Sequence, residues 1–177
     1  MKSILVKQLA IVLLVLTLST LANAQDLGLK LSPLENLIGG SWEIDTQWGD
    51  GTKFKQKITY SWSLSENMIS SKTTGNISKT GYEQGLRSEG VRVWNSTDST
   101  LKFWEFDIFG TITEGTILID GNNHYYQYSY ETGNGVMTLT DGWEFVSENE
   151  YTYSVGVFED GMWTQKYLSG SMTRKAD

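Results

Sequence analysis

The sequence predicts an all-β protein, a closed antiparallel up-and-down barrel of about eight to ten strands with one short N-terminal helix. Three observations carry that expectation. Segment after segment alternates apolar and polar residues with a period of two, the pattern of a strand with one dry face. Turn-forming residues interrupt the alternation about every 8–14 positions. No helical stretch is long enough for a crossover between parallel strands, so successive strands must run antiparallel. Closure follows because an open sheet of this length would leave two unpaired edges in water. No internal repeat of about 20–50 residues is visible, which argues against a propeller or solenoid.

Met1 to Ala24 reads as a secretory signal: Lys2 and Lys7 are basic, Leu9 to Leu18 is apolar apart from Thr17, and Ala22-Asn23-Ala24 offers small residues for cleavage. An apolar run of about ten residues is too short to cross ~30 Å of hydrocarbon, so no stable membrane anchor is expected. The mature domain would run from Gln25 to Asp177, in the periplasm or outside the cell. Ser32-Pro33-Leu34-Glu35 then has the form of a capping box, with Ser32 as N-cap and Pro33 at the first helical position. Leu34, Leu37 and Ile38 supply an apolar stripe, and Gly39-Gly40 stops the helix.

The first strand carries Trp42, Ile44, Thr46 and Trp48 on one face, and Gly49-Asp50-Gly51 turns the chain. The second sets Phe54, Ile58, Tyr60, Trp62 and Leu64 against Lys53, Lys55, Lys57, Thr59, Ser61 and Ser63. Further strands are expected at Met68 to Thr74, Gly85 to Trp94, Leu101 to Phe109, Thr111 to Asp120 and His124 to Glu131. The last three are Val136 to Asp141 with an extension toward Phe145, Tyr151 to Phe158, and Met162 to Arg174. Asp120-Gly121-Asn122-Asn123, Thr132-Gly133-Asn134-Gly135 and Asp160-Gly161 supply the turns.

Composition narrows the function. A chain of 177 residues without a Pro/Ser-rich linker is one domain's worth of protein. Its formal charge of −7 repels phosphate backbones, so nucleic acid is not an expected partner. The absence of cysteine excludes disulfides, thiolate nucleophiles, Cys-ligated zinc, iron–sulfur clusters and cysteine lipidation. One histidine, His124, argues against a two-histidine metal site or a Ser-His-Asp triad; placed after Asn122-Asn123, it reads as an exposed loop-edge residue. Phosphate-binding loops and calcium-loop spacing are absent as well.

The segment Leu34-Glu35-Asn36-Leu37-Ile38-Gly39-Gly40-Ser41-Trp42-Glu43 resembles the opening of lipocalin-like calycin barrels, a short helix followed by Gly-x-Trp on the first strand. Val93-Trp94-Asn95 and Phe103-Trp104-Glu105-Phe106-Asp107 are similar to a later Trp-rich segment of secreted bacterial families of that kind. The resemblance implies that Arg174, near the end of the last strand, covers Trp42 as a structural plug. The expected strand number is closest to the fatty-acid-binding and nitrobindin-like subtypes. The chain departs from both: no helical lid follows the first strand, and a haem-binding histidine near the C-terminus is missing. No cofactor is therefore implied.

The aromatic rows are the candidate ligand site: Trp48, Tyr60, Trp62, Trp104, Phe106, Tyr126, Tyr128 and Tyr153. Aromatics with polar tips make a mainly apolar cavity with a few orienting hydrogen bonds, suited to a small apolar or amphipathic molecule. If Trp104 and Phe106 point inward, alternation turns Glu105 and Asp107 outward. The rival reading is a hydrolase or isomerase on the same barrel, in which Glu105, Asp107 and Glu114 would converge for acid–base work. A third is a carbohydrate- or protein-binding module with aromatics on its outer surface.

Overall fold

The computed structural model describes residues 30–133 and 135–176; the expected leader, Met1 to Ala24, lies outside them. The described residues form a barrel closed by antiparallel strands: β1 Ser41–Gln47, β2 Lys53–Ser63, β3 Met68–Asn76, β4 Gln84–Asn95, β5 Thr100–Asp107, β6 Ile112–Asp120, β7 Asn123–Thr132, β8 Gly135–Ser147, β9 Glu150–Glu159 and β10 Met162–Lys175. Each strand pairs with its neighbours in sequence, and β1 closes the ring on β10, with Trp42 opposite Arg174. Gly40 makes this closure possible. Its φ is +76°, and a Cβ there would lie 2.3 Å from the carbonyl oxygen of Lys175.

Two strand ends differ from expectation for local reasons. β5 stops at Asp107 because that side chain accepts the backbone N–H groups of Phe109, at 2.8 Å, and Thr111, at 2.9 Å, which folds the next residues into a turn. Leu64 is not on the dry face of β2; it leads the following turn with a positive φ and is exposed.

The short helix also differs. It is a 3-10 helix over Ser32–Leu37 whose N-cap is Leu31, so the expected cap at Ser32 is displaced by one residue. The Ile38 N–H closes it on the Glu35 carbonyl at 2.9 Å. Three residues per turn place Leu31, Leu34 and Leu37 in one row, and all three are fully buried. That row plugs one end of the barrel.

Polar contacts hold the plug. The Trp42 indole donates to the Leu37 carbonyl at 2.9 Å, Asn36 donates to the Tyr151 hydroxyl at 2.9 Å, and Arg174 donates to the Asn36 carbonyl. The Arg174 guanidinium lies 4.7 Å from the Trp42 ring centre, a cation–π contact worth about 0.5–2 kcal/mol. His124 is fully buried, correcting its reading as an exposed loop-edge residue. Its ring is 2.9 Å from the Pro33 carbonyl, which can only accept, so Nε2 carries the proton. Inside the plug, Trp42, Trp143 and Tyr151 meet edge to face, with ring centres 5.2–5.8 Å apart.

Candidate functional site

Beyond the plug, side chains do not fill the barrel. A cavity of about 160 Å³ occupies the interior, with Trp143, Phe103 and Ile58 among its apolar walls. A vestibule of about 330 Å³ lies toward the β1–β2 turn, bounded by Trp48, Phe54 and Lys53. The two spaces share Gln56, Tyr128, Asp141 and Tyr153. An apolar cavity of about 150 Å³ holds benzene, so the inner chamber has room for one ring.

Two polar clusters project into this space. In the first, Arg92 Nη1 lies 3.1 Å from Glu105 Oε2 and also donates to the Ser71 hydroxyl, while Ser88 donates to Glu105 Oε1 at 3.0 Å. The guanidinium sits 5.1 Å from the Tyr60 ring centre and 5.4 Å from that of Tyr126. Burial opposes its charge, but the Glu105 carboxylate beside it more than compensates and holds Arg92 firmly protonated. Gly90 makes room for the pair, because a Cβ there would lie 1.9 Å from Glu105 Oε2.

The second cluster is Asp141 between two tyrosines. Tyr128 donates to Oδ1 at 3.0 Å and Tyr153 to Oδ2 at 2.9 Å. Burial pushes the Asp141 carboxyl up to about 6, although both hydroxyls favour its ionised form. Burial likewise raises the hydroxyls of Tyr60, Tyr126, Tyr128 and Tyr153, so they remain donors.

Of the aromatic residues expected at the site, Tyr60, Tyr126, Tyr128 and Tyr153 line the chamber, and Trp48 lines the vestibule. Trp62 packs half-buried against the core opposite Ile69 and is not part of either lining. Trp104 and Phe106 lie on the outer surface, reversing the expected facing of β5. Leu101 and Phe103 are buried, so alternation carries Glu105 inward with them. The Trp104 indole donates to Glu114 across the outer face at 2.8 Å, and Phe106 is half exposed.

Glu105, Asp107 and Glu114 therefore do not converge. Glu114 is outside, Asp107 pairs with Arg87 at 3.2 Å and caps a turn, and Glu105 pairs with Arg92. Arg92, Asp141 and Trp143 are among the chamber residues that sequence reasoning missed. A mid-strand glycine such as Gly90 was the available signal, since it marks a close approach by another group. No family model and no curated protein matches the chain. The closed ten-strand antiparallel barrel is compatible with a calycin-like architecture.

Proposed function

We propose that this is a secreted, lipocalin-like barrel that binds a small amphipathic molecule in the chamber above its plug. The observation that carries the reading is the unfilled interior itself, a ring-sized space walled by Tyr60, Tyr126, Tyr128, Tyr153 and Trp143, with a vestibule bordering the same Tyr128, Asp141 and Tyr153. A ligand hiding about 200 Å² of apolar surface would gain about 5 kcal/mol before association costs. Apolar burial alone therefore gives weak binding, and the polar groups on the wall must add affinity and orientation. The chamber favours an amphipathic ligand over a purely apolar one, because Arg92, Glu105 and Asp141 would lose hydration beside a hydrocarbon.

Calorimetric titration with benzyl alcohol and other uncharged single-ring probes tests the reading. Saturable binding is expected in the wild type. It should be lost in Thr113→Phe, which projects a ring into the chamber from β6. No saturable binding by any ring-sized probe, charged or uncharged, would overturn the proposal. Where saturable binding is found, mass spectrometry of material extracted from the native protein would identify the physiological ligand.

A further inference from the structure

We infer that the ligand is an organic cation, a protonated amine on a compact apolar body, whose ammonium sits against the carboxylate of Asp141. This rests on the binding reading above and specifies its ligand class. The charges of the chamber carry the argument. Arg92 and Glu105 offset each other at 3.1 Å, whereas the hydrogen bonds of Asp141 come from two neutral tyrosine hydroxyls. Among the described residues no lysine or arginine forms an ion pair with Asp141. The lining of the inner chamber thus holds one carboxylate more than it holds cations, Glu105 and Asp141 against Arg92, while Lys53, Lys55 and Arg87 stand around the vestibule. A carboxylate can accept about four hydrogen bonds, and the tyrosines fill two of those positions on a group that borders both the chamber and the vestibule.

A buried carboxylate without a counter-charge is costly, and an ammonium hydrogen-bonded to it removes that cost. Burial raises the Asp141 carboxyl, and the two tyrosine hydroxyls and the Arg92 charge only partly offset that rise. The surrounding surfaces suit a cation too. Tyr128, Tyr153 and Trp143 border the space, Phe54 stacks on Tyr153 with ring centres 6.1 Å apart, and Trp48 meets Phe54 at 5.4 Å. Aromatic faces attract organic cations.

The alternatives fit less well. An anion would add to the uncompensated charge of Asp141 and compete with Glu105 for Arg92. Among the described residues no group of three or more His, Asp or Glu side chains could hold a metal ion. At the rim, Lys55 pairs with Asp45 at 3.4 Å, Arg87 pairs with Asp107 at 3.2 Å, and Lys53 lies over the Tyr82 ring. The net charge of −7 draws cations toward the protein as a whole.

The test compares phenethylamine, phenethyl alcohol and hydrocinnamate by calorimetric titration at about pH 8, where the Asp141 carboxyl is ionised. Phenethylamine should bind about ten- to a hundredfold more tightly than the alcohol, the range expected for a charge-assisted hydrogen bond, and hydrocinnamate should bind least. Asp141→Asn should erase the preference for the amine while the alcohol still binds. The wild-type ranking needs no variant, so it decides the question even if Asp141→Asn folds poorly. Equal binding of amine and alcohol, a preference for hydrocinnamate, or an amine preference that survives in folded Asp141→Asn would overturn the assignment and leave the binding reading standing. No saturable binding by any of the three, nor by benzyl alcohol, overturns both.

Discussion

Replacing Asp141 by Asn should change how the stability of the barrel depends on pH. Burial moves this carboxyl from its ordinary 3.8 to about 6, a shift of about two pKa units, or about 3 kcal/mol at 1.36 kcal/mol per unit. The carboxyl is half-buried at the chamber wall, so solvent screening makes this an upper value. The folded protein holds the Asp141 proton more tightly than the unfolded chain does. Stability must therefore fall as pH rises from about 4 through about 6, and the wild type carries the full cost above that window. His124 acts in the opposite sense. Burial lowers its pKa from 6.5 to about 4, so its contribution is complete above 6.5 and is lost as pH falls toward 4, again by about 3 kcal/mol.

The two slopes nearly cancel in the wild type between about pH 4 and 6, and Asp141→Asn uncovers the histidine's slope. Urea denaturation followed by tryptophan fluorescence over a pH series measures this directly. The stability of the variant relative to wild type should drop by up to about 3 kcal/mol as pH is lowered from about 8 to about 4. A difference that stays constant with pH, or that grows on acidification, would refute the assigned burial of this carboxylate.

Four further outcomes are expected. Trp42→Ala should cost about 3–5 kcal/mol of unfolding free energy, read as a lowered denaturation midpoint, because it empties the centre of the plug. Arg174→Ala should cost less, losing the cation–π contact and the bond to the Asn36 carbonyl. Arg92→Met should destabilise by about 3–5 kcal/mol by stranding Glu105 in the barrel, and adding Glu105→Gln should recover part of the loss. Intact-mass measurement of the exported protein should place the mature N-terminus at Gln25, and a mass retaining the first 24 residues would remove the secreted assignment.

Most of the barrel was legible in the sequence because its signals are local. The alternation of Phe54, Ile58 and Tyr60 with lysines marks β2 from within its own residues, and Asp120-Gly121 and Asp160-Gly161 mark turns by their own backbone preferences. The closing contact of Trp42 with Arg174 was reached through the likeness at Gly40-Ser41-Trp42, and the register of β1 on β10 places those residues opposite each other. The tyrosines of β7 and β9 were legible as well, since strongly alternating strands expose their inner face to inspection.

The polar heart of the chamber was not legible. In β5 both faces carry aromatics, so alternation alone does not tell whether Phe103 or Trp104 turns inward. That choice depends on pairing with β4 and β6, where Gly90 and Gly115 make room for Glu105 and Phe103. Asp141-Gly142 looks like a turn but lies within β8, and its carboxylate meets Tyr128 and Tyr153 only because β7 and β9 flank it. His124 is buried because a plug about 90 residues earlier in the chain lies over it. A strand's pattern is written in its own residues, but which face becomes the interior, and which charges meet there, is decided by neighbours that only the closed ring brings together.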